Sequence, residues 1–295
     1  MSDDPFVTHR SLLFTVAYEM LGSAADAEDV VQETWLRWAE VSRDTVRDPR
    51  AYLVQIVTRQ ALNRLRTLAR RREDYVGEWL PEPLLTSPDV AEDVELAESV
   101  SMAMLTVLET LGPTERAVFV LREVFETPYD EIAGAVGRSE SAVRQIAHRA
   151  RGHVAARRPR TRVGRAEQQQ VVDRFLAALQ TGDLQGLLDV LAPDAVMIAD
   201  GGGVVSAVRV PLSGAAVIAK VLAKFAERAP EGATVTPSWF NGAVAASVEI
   251  DGALDTAISF EIDGRRIHRI LAVRNPAKLT RLDREAALAR RPEAR

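Results

Sequence analysis

The chain has 295 residues, 47% apolar and 27% charged, with a formal net charge of −5. That length calls for two or three domains, and the apolar share supports packed cores rather than wholesale disorder. Cysteine is absent, which excludes a disulfide framework, a cysteine nucleophile and cysteine-based zinc sites. The opening MSDDPFVTHR is acidic and lacks the apolar centre of a signal peptide. No apolar run reaches the ~18 residues of a membrane span. A cytoplasmic protein without membrane contact, metal or cofactor is the expectation.

The acidic total hides two basic stretches. Residues 59–72 (RQALNRLRTLARRR) hold six arginines and no acid, and residues 138–165 hold nine arginines against Glu140 alone. Acids concentrate at 26–40 and 73–98. Nucleic-acid footprints are read from such patches rather than from totals.

Residues 1–72 read as helical. Ser23 followed by Asp26 forms a capping box, and behind it Ala27, Val30, Val31, Trp35, Trp38 and Val41 keep helical spacing. Asp48-Pro49 opens the next helix, which ends in the arginine run. Residues 73–95 hold three prolines and several acids and read as a linker, with an unusually apolar Trp79-Leu80-Pro81 inside it. Residues 96–160 return to helix. Gly112-Pro113 starts one element, Thr127-Pro128-Tyr129-Asp130 is a second capping-box candidate, and Ser139 can cap SAVRQIAHRARGHV.

The period changes in the third region, 167–279. Helical QQQVVDRFLAAL and DLQGLLDVL precede two strand-like runs, AVMIAD and VVSAVRV, on either side of Gly201-Gly202-Gly203. A further helix fits SGAAVIAKVLAKFAERA. Four strand-like segments then follow, parted by Asn241-Gly242, Asp251-Gly252 and Asp263-Gly264, which are strong hairpin signals. Helices followed by an antiparallel meander make an α+β domain. Residues 280–295 are charged and read as a frayed tail.

The strongest motif is a helix-turn-helix over 128–153. Ala133 is small at the helix crossing, Gly137 permits the turn, and Ile132, Val136, Val143 and Ile146 complete a small core. The second helix then presents Ser141, Arg144, Gln145, His148, Arg149 and Arg151 to DNA, where Arg and Gln read base edges and further Arg contact phosphate.

DAEDVVQETWLRWAE with DPRAYLVQIVTRQALNRLRTLARRR resembles the second conserved region of bacterial sigma factors, and LGPTERAVFVLREVFETPYDEIAGAVGRSESAVRQIAHRARG resembles the fourth. With only a linker between them, the pair is similar to the extracytoplasmic-function (ECF) class over about residues 6–158. The resemblance implies a sigma factor that binds the β′ and β subunits of core RNA polymerase and directs transcription at double-stranded and melted promoter DNA. Asp26, Asp29, Gln32, Glu33 and Trp35 would grip the β′ coiled coil. Asn63, Arg64, Arg66 and Arg70 would meet the −10 element, and the helix from Ser139 to His153 the −35 element. Tethering both modules on polymerase makes promoter spacing part of specificity.

The third domain resembles the SnoaL-like branch of the nuclear-transport-factor-2 superfamily, a curved sheet forming a cone with helices. WLPEP (79–83), DGGG (200–203) and NPAKL (275–279) match signatures of the ECF group carrying this extension. The resemblance implies that the extension replaces an anti-sigma factor, with Trp79, Leu80 and Pro81 anchored against Asp200, Gly201, Gly202, Gly203, Asn275, Pro276, Lys278 and Leu279. The glycines read as a hairpin bend with room for positive φ rather than as a phosphate loop, because a β-prone run follows them rather than a helix. Asp200, Trp239, Asn241 and His268 could instead line a pocket, and a small molecule in the cone is a candidate ligand. Two other readings stay open: a polymerase-independent DNA-binding regulator, and a SnoaL-like isomerase or hydrolase with a DNA-binding appendage.

Overall fold

Helix α1 (Pro5–Leu21) begins where the Asp4 carboxylate accepts the Phe6 N–H, and every residue from Leu12 to Leu21 is buried. A helix buried on all sides must be surrounded. Helices α2 (Ala24–Ala39) and α3 (Pro49–Arg72) pack on one side of it, and the later helices and chain segments close the other. The computed structural model describes residues 4–72, 75–157 and 163–290. Of the expected capping box only one half forms: Ser23 Oγ accepts the Asp26 N–H at 3.1 Å, while the Asp26 carboxylate binds Arg64; Asp48 Oδ1 accepts the Ala51 N–H at 3.0 Å and starts α3.

After the linker come α4 (Val94–Val100), α5 (Met102–Leu108), α6 (Pro113–Phe119), α7 (Tyr129–Val136) and α8 (Glu140–Ala155). A wide π turn, Val120–Val124, continues α6. This turn overrides the second capping-box expectation. The Thr127 N–H bonds the Leu121 carbonyl at 2.9 Å, Arg122 takes the Thr127 carbonyl at 3.1 Å, and Pro128 occupies the cap position of α7 instead. Residues 80–84 are fully buried, and Leu80 and Leu84 join the same hydrophobic core as α1–α8. The linker is therefore a packed element rather than a solvated tether.

The C-terminal domain adds α9 (Arg165–Thr181), α10 (Leu184–Val190), α11 (Ala215–Glu227), a short α12 (Pro276–Leu279) and a six-stranded sheet. Its strands are β1 (Leu191–Asp200), β2 (Leu212–Ser213), β3 (Ala233–Phe240), β4 (Ala243–Ile250), β5 (Ala253–Asp263) and β6 (Arg266–Val273). Their order across the sheet is β2-β1-β6-β5-β4-β3, with β1 and β6 parallel and every other pair antiparallel. The first two hairpins turn at Asn241-Gly242 and Asp251-Gly252, all four residues at positive φ as a two-residue primed turn requires. At the third, Asp263 stays in the strand and Gly264 alone has positive φ.

The expected strand VVSAVRV does not form. Arg274, held bidentate by Asp255 at 3.1 and 2.9 Å, takes the Ser206 carbonyl, and Pro211 has no N–H to give a ladder. Only Leu212 and Ser213 pair with β1.

The two faces of the sheet have different partners. Ala246, Ile258, Ile270 and Ala272 pack with Phe175, Leu187 and Ile218 of the domain's own helices. On the reverse face, Leu271 and Val273 belong to the core of α1–α8. Alternation along the strands thus serves two cores at once.

The C-terminal segment corrects a further expectation. Residues 280–290 do not fray but run back across the molecule as a strap. Leu282 is buried with Phe240, Ala245 and Ala257. The Ala286 N–H bonds the Leu85 carbonyl at 2.8 Å, and the Ala289 N–H bonds Thr15 Oγ1 on α1 at 3.0 Å. Arg290 pairs with Glu95 on α4. A charged strap whose apolar contacts, Leu282, Ala286 and Leu288, follow neither a helical nor a strand period gives no signal in the sequence. Residues 291–295 of that expected tail lie outside the described residues. Among the described residues, no helix is long and apolar enough to cross a membrane. Leu282→Ala is expected to lower stability by about 2 kcal/mol, read from the urea midpoint at unchanged slope.

Candidate functional site

Gly137 ends α7 at φ 67°, and its N–H returns to the Ala133 carbonyl at 3.0 Å. Ser139 Oγ then accepts the Ala142 N–H at 3.3 Å and starts α8. Val143, Ala147, Ala150 and Val154 recur at helical spacing and are buried. That phase leaves Ser141, Arg144, Gln145, His148, Arg149 and Arg151 exposed together. Arg144 pairs with Glu140 and lies over the Tyr129 ring at 4.8 Å, while Arg122 lies over the same ring at 4.6 Å. Both guanidinium groups are thereby oriented, although such contacts on exposed groups contribute only about 0.5–1 kcal/mol each.

On the first domain, two groups of candidate residues meet. Arg64 Nε bonds Asp26 Oδ1 at 2.7 Å, and its Nη2 lies 3.2 Å from Asp29 Oδ2. Arg64 is therefore held on α2 rather than presented freely beside Asn63 and Arg66, which remain exposed. Gln32 and Glu33 are exposed, and Trp35 packs obliquely on Phe6 at 5.0 Å between ring centres. The Arg70 side chain lies outside the described residues. Arg59 Nη2 donates to the Gly134 carbonyl at 2.8 Å, so α3 packs directly against the first helix of the helix-turn-helix.

The junction of linker and third domain is built around Asp200, which is fully buried at the end of β1. Its carboxylate accepts hydrogen bonds from the Leu80 N–H at 2.9 Å, the Tyr75 hydroxyl at 2.5 Å and the Gly202 N–H at 3.0 Å. Lys278 Nζ lies 2.6 Å away and also donates to the Leu80 carbonyl at 2.5 Å. The Lys278 ammonium sits 3.1 Å from the centre of the Trp79 ring. Burial of a charge is tolerated when it is both paired and hydrogen-bonded, and each partner here is.

The glycines are required by what approaches them. A Cβ on Gly202 would stand 2.4 Å from Asn275 Nδ2, and one on Gly203 would stand 2.9 Å from Val76 Cβ, both at positive φ. Asn275 caps α12 by accepting the Ala277 N–H at 3.1 Å, and donates to the Tyr75 hydroxyl at 2.9 Å. Pro276 opens α12 from the exposed side, while Leu279 packs inward against both neighbouring cores. Burial and the Asp200 carboxylate raise the Tyr75 hydroxyl well above its ordinary pKa, so it stays a proton donor.

A second contact point was not read as an interdomain residue from sequence. Asn241, in the first hairpin turn, accepts the Leu84 N–H at 3.0 Å and donates to the Tyr18 hydroxyl at 2.7 Å and the Val100 carbonyl at 2.8 Å. Tyr18 in turn donates to the Glu82 carbonyl at 2.7 Å, and Glu82 Oε2 accepts the Ala25 N–H at 3.2 Å. One side chain thus joins α1, the linker and the end of α4. Tyr75 was missed too; its only signal was an aromatic residue in a polar linker.

These positions dissolve the expected pocket. Asp200 and Asn241 face other domains, Trp239 lies under Arg165 at 4.5 Å, and His268 is part-exposed, 3.8 Å from Asp194. The helix-covered side of the sheet is instead packed with apolar groups such as Phe175 and Phe260, 5.1 Å apart. Among the described residues, no three His, Asp or Glu side chains are grouped to hold a metal ion.

Residues 6–71 match the family model for sigma-70 region 2, and residues 101–154 the model for sigma-70 region 4. The ECF RNA polymerase sigma factor SigJ of Mycobacterium tuberculosis (strain ATCC 25618 / H37Rv) is 44% identical over 209 residues, covering 69% of this chain and 66% of its own length. Probable ECF RNA polymerase sigma factor SigI of the same strain is 37% identical over 188 residues, 63% of this chain and 65% of its own. The matched stretches therefore span just under two thirds of these curated relatives. The crystal structure of Mycobacterium tuberculosis SigJ is similar over 93% of this chain and 96% of that one, at 33% identity and a TM-score of 0.75.

Beside Asn241, burial pushes the Glu19 carboxyl up to about 8, against the pull of Ser99 on α4, Arg116 on α6 and Arg290 on the strap. Arg116 also pairs with Glu109 at 2.7 Å, and burial raises the neighbouring Tyr18 hydroxyl and Glu82. The folded chain holds the Glu19 proton that the unfolded chain releases near 4.5, so this stabilisation is full below that pH and is lost as pH rises to about 8. Glu19→Gln keeps the acceptor for Ser99 and cannot ionise. Thermal unfolding is expected to show the variant and parent alike near pH 4.5, and the variant more stable near pH 9.

Proposed function

We propose, from the premise that this chain belongs to the extracytoplasmic-function (ECF) family of RNA polymerase sigma factors, that it binds core RNA polymerase and directs initiation at promoters it reads with two domains. The observation that carries this reading is the exposed face of α8, set by the burial of Val143, Ala147, Ala150 and Val154. A helix so placed after a tight turn enters the major groove with its first residues on base edges. Ser141, Arg144 and Gln145 take that role at the −35 element, and His148, Arg149 and Arg151 lie further along toward the phosphates. The −10 element is met by the exposed Asn63 and Arg66. Arg64, bound to Asp26 and Asp29, acts as a positioning residue that keeps the acids of α2 in place for polymerase.

The third domain regulates by holding the linker. With Leu80 fixed on Asp200 and Lys278, and Leu84 on Asn241, the two DNA-reading domains share one relative placement. Their contact through Arg59 and Gly134 belongs to the same held arrangement. Tethered modules act together only when the tether permits both to engage, so control of the linker is control of promoter engagement. The DNA-binding regulator without polymerase, and the SnoaL-like enzyme, have no observation that favours them over this reading.

In promoter-directed transcription with core polymerase, Asp200→Ala and the 1–167 truncation are both expected to differ from the full chain, because each frees the linker. If all three transcribe alike, the regulatory role is wrong; if none associates with core polymerase, the sigma reading is wrong. Gln145→Ala is expected to relax base preference at one −35 position by about 1–3 kcal/mol, measured as transcription from single-base promoter variants.

A further inference from the structure

A groove of about 610 Å³ runs between the first domain and the strap. One wall is α1 and α2, with Arg10, Glu28, Asp29 and Gln32, and the floor is aromatic, from Phe6, Phe14 and Trp35. The opposite wall is the strap itself, through Arg281, Arg284, Glu285 and Ala287. The same groove thus contains three of the five α2 residues assigned above to polymerase, together with a segment over two hundred residues later in the chain.

The strap is fixed where it forms this wall. Leu282 is buried in the sheet, the Ala286 N–H is bonded to Leu85, and the Ala289 N–H to Thr15. Between Leu282 and Ala286 the side chains are exposed: Arg284 keeps 81% of its side-chain surface and lies 3.9 Å from its neighbour Asp283. Across the groove, Asp29 keeps 57% of its side-chain surface. Both walls carry charges of each sign over an apolar floor, Arg10, Glu28 and Asp29 on the helices and Arg281, Arg284 and Glu285 on the strap, with Asp29 also paired to Arg64 at 3.2 Å. Trp35 keeps 37% of its surface accessible in that floor, and Leu36 beside it keeps 59%. A partly apolar surface rimmed by fixed charges of both signs suits an amphipathic helical partner.

We infer that the strap is part of the polymerase-binding surface: a helical element of core polymerase seats between α2 and the strap, meeting Arg281 and Arg284 on one side and Asp29, Gln32 and Trp35 on the other. This rests on the sigma-factor reading above and extends its polymerase site to the C-terminal end of the chain. A strap that merely shielded α2 would cover the outer face of that helix, yet Gln32, Glu33 and Leu36 all remain exposed. The partner carries basic groups toward Asp29 and Glu33 and at least one acid toward Arg284.

Binding of the full-length chain to core polymerase, titrated at two salt concentrations, tests this. Arg284→Glu is expected to weaken binding about fivefold and to change its salt dependence, since rim charges act through association and screening. Arg265→Glu, equally exposed on the far side of the third domain, is expected to bind as the parent does. Glu33→Arg tests the underlying site on α2. If Glu33→Arg weakens binding while Arg284→Glu leaves it unchanged or tightens it, the strap is not part of the surface and the α2 site stands. If neither reversal matters, the groove is not the polymerase site. If the parent chain does not bind core polymerase, the sigma reading falls and the inference with it. Unchanged thermal unfolding of both variants shows that a loss of binding is not a loss of fold.

Discussion

A carboxylate and an ammonium group, Asp200 and Lys278, are buried 2.6 Å apart where three parts of the chain meet. Burying two charges costs several kcal/mol each unless every remaining valence is satisfied. The linker supplies what is missing: the Leu80 N–H and carbonyl, the Tyr75 hydroxyl and the face of Trp79. The third domain cannot bury its own ion pair well without the linker, and the linker cannot bury its backbone without the ion pair. Three motifs spread over 200 residues are therefore one physical unit. The glycine run belongs to that unit because Asn275 and Val76 occupy the space where side chains would stand.

What was legible in the sequence is what depends on near neighbours. Ser23 and Ser139 cap helices because the N–H groups they satisfy are two or three residues away, and Asn241-Gly242 turns because both residues tolerate positive φ. The helix-turn-helix core is likewise a matter of spacing within one short segment. Thr127 looked like a cap and is not one, because the preceding π turn had already claimed its backbone. VVSAVRV looked like a strand and is not one, because a distant arginine holds its carbonyl. Asn241 was readable as a turn but not as the hub joining α1, the linker and α4. None of those partners lies within a hundred residues of it.

The junction is also where the molecule departs from the usual economy of buried groups. Glu19, Glu82, Arg116 and Tyr18 are largely or wholly removed from water, and their bonds run between elements rather than within them. A contact made of polar groups specifies one geometry, since apolar surfaces can slide while directed hydrogen bonds cannot. It also separates more readily, because water can satisfy each group once they part. Such a junction fixes the register of the elements that it joins.

The order in which the chain is made adds a further consequence to the buried linker. Leu80 leaves the ribosome 120 residues before Asp200, and Thr15 leaves 274 residues before Ala289. At ~5–20 residues per second, the linker is out for about 6–24 seconds before Asp200 follows it, and α1 for about 14–55 seconds before the strap residue it binds. The partners that bury the linker are thus made after it, and the strap last of all. A nascent copy and a finished copy of the same chain are in this respect different proteins, and the interval between them is set by translation speed.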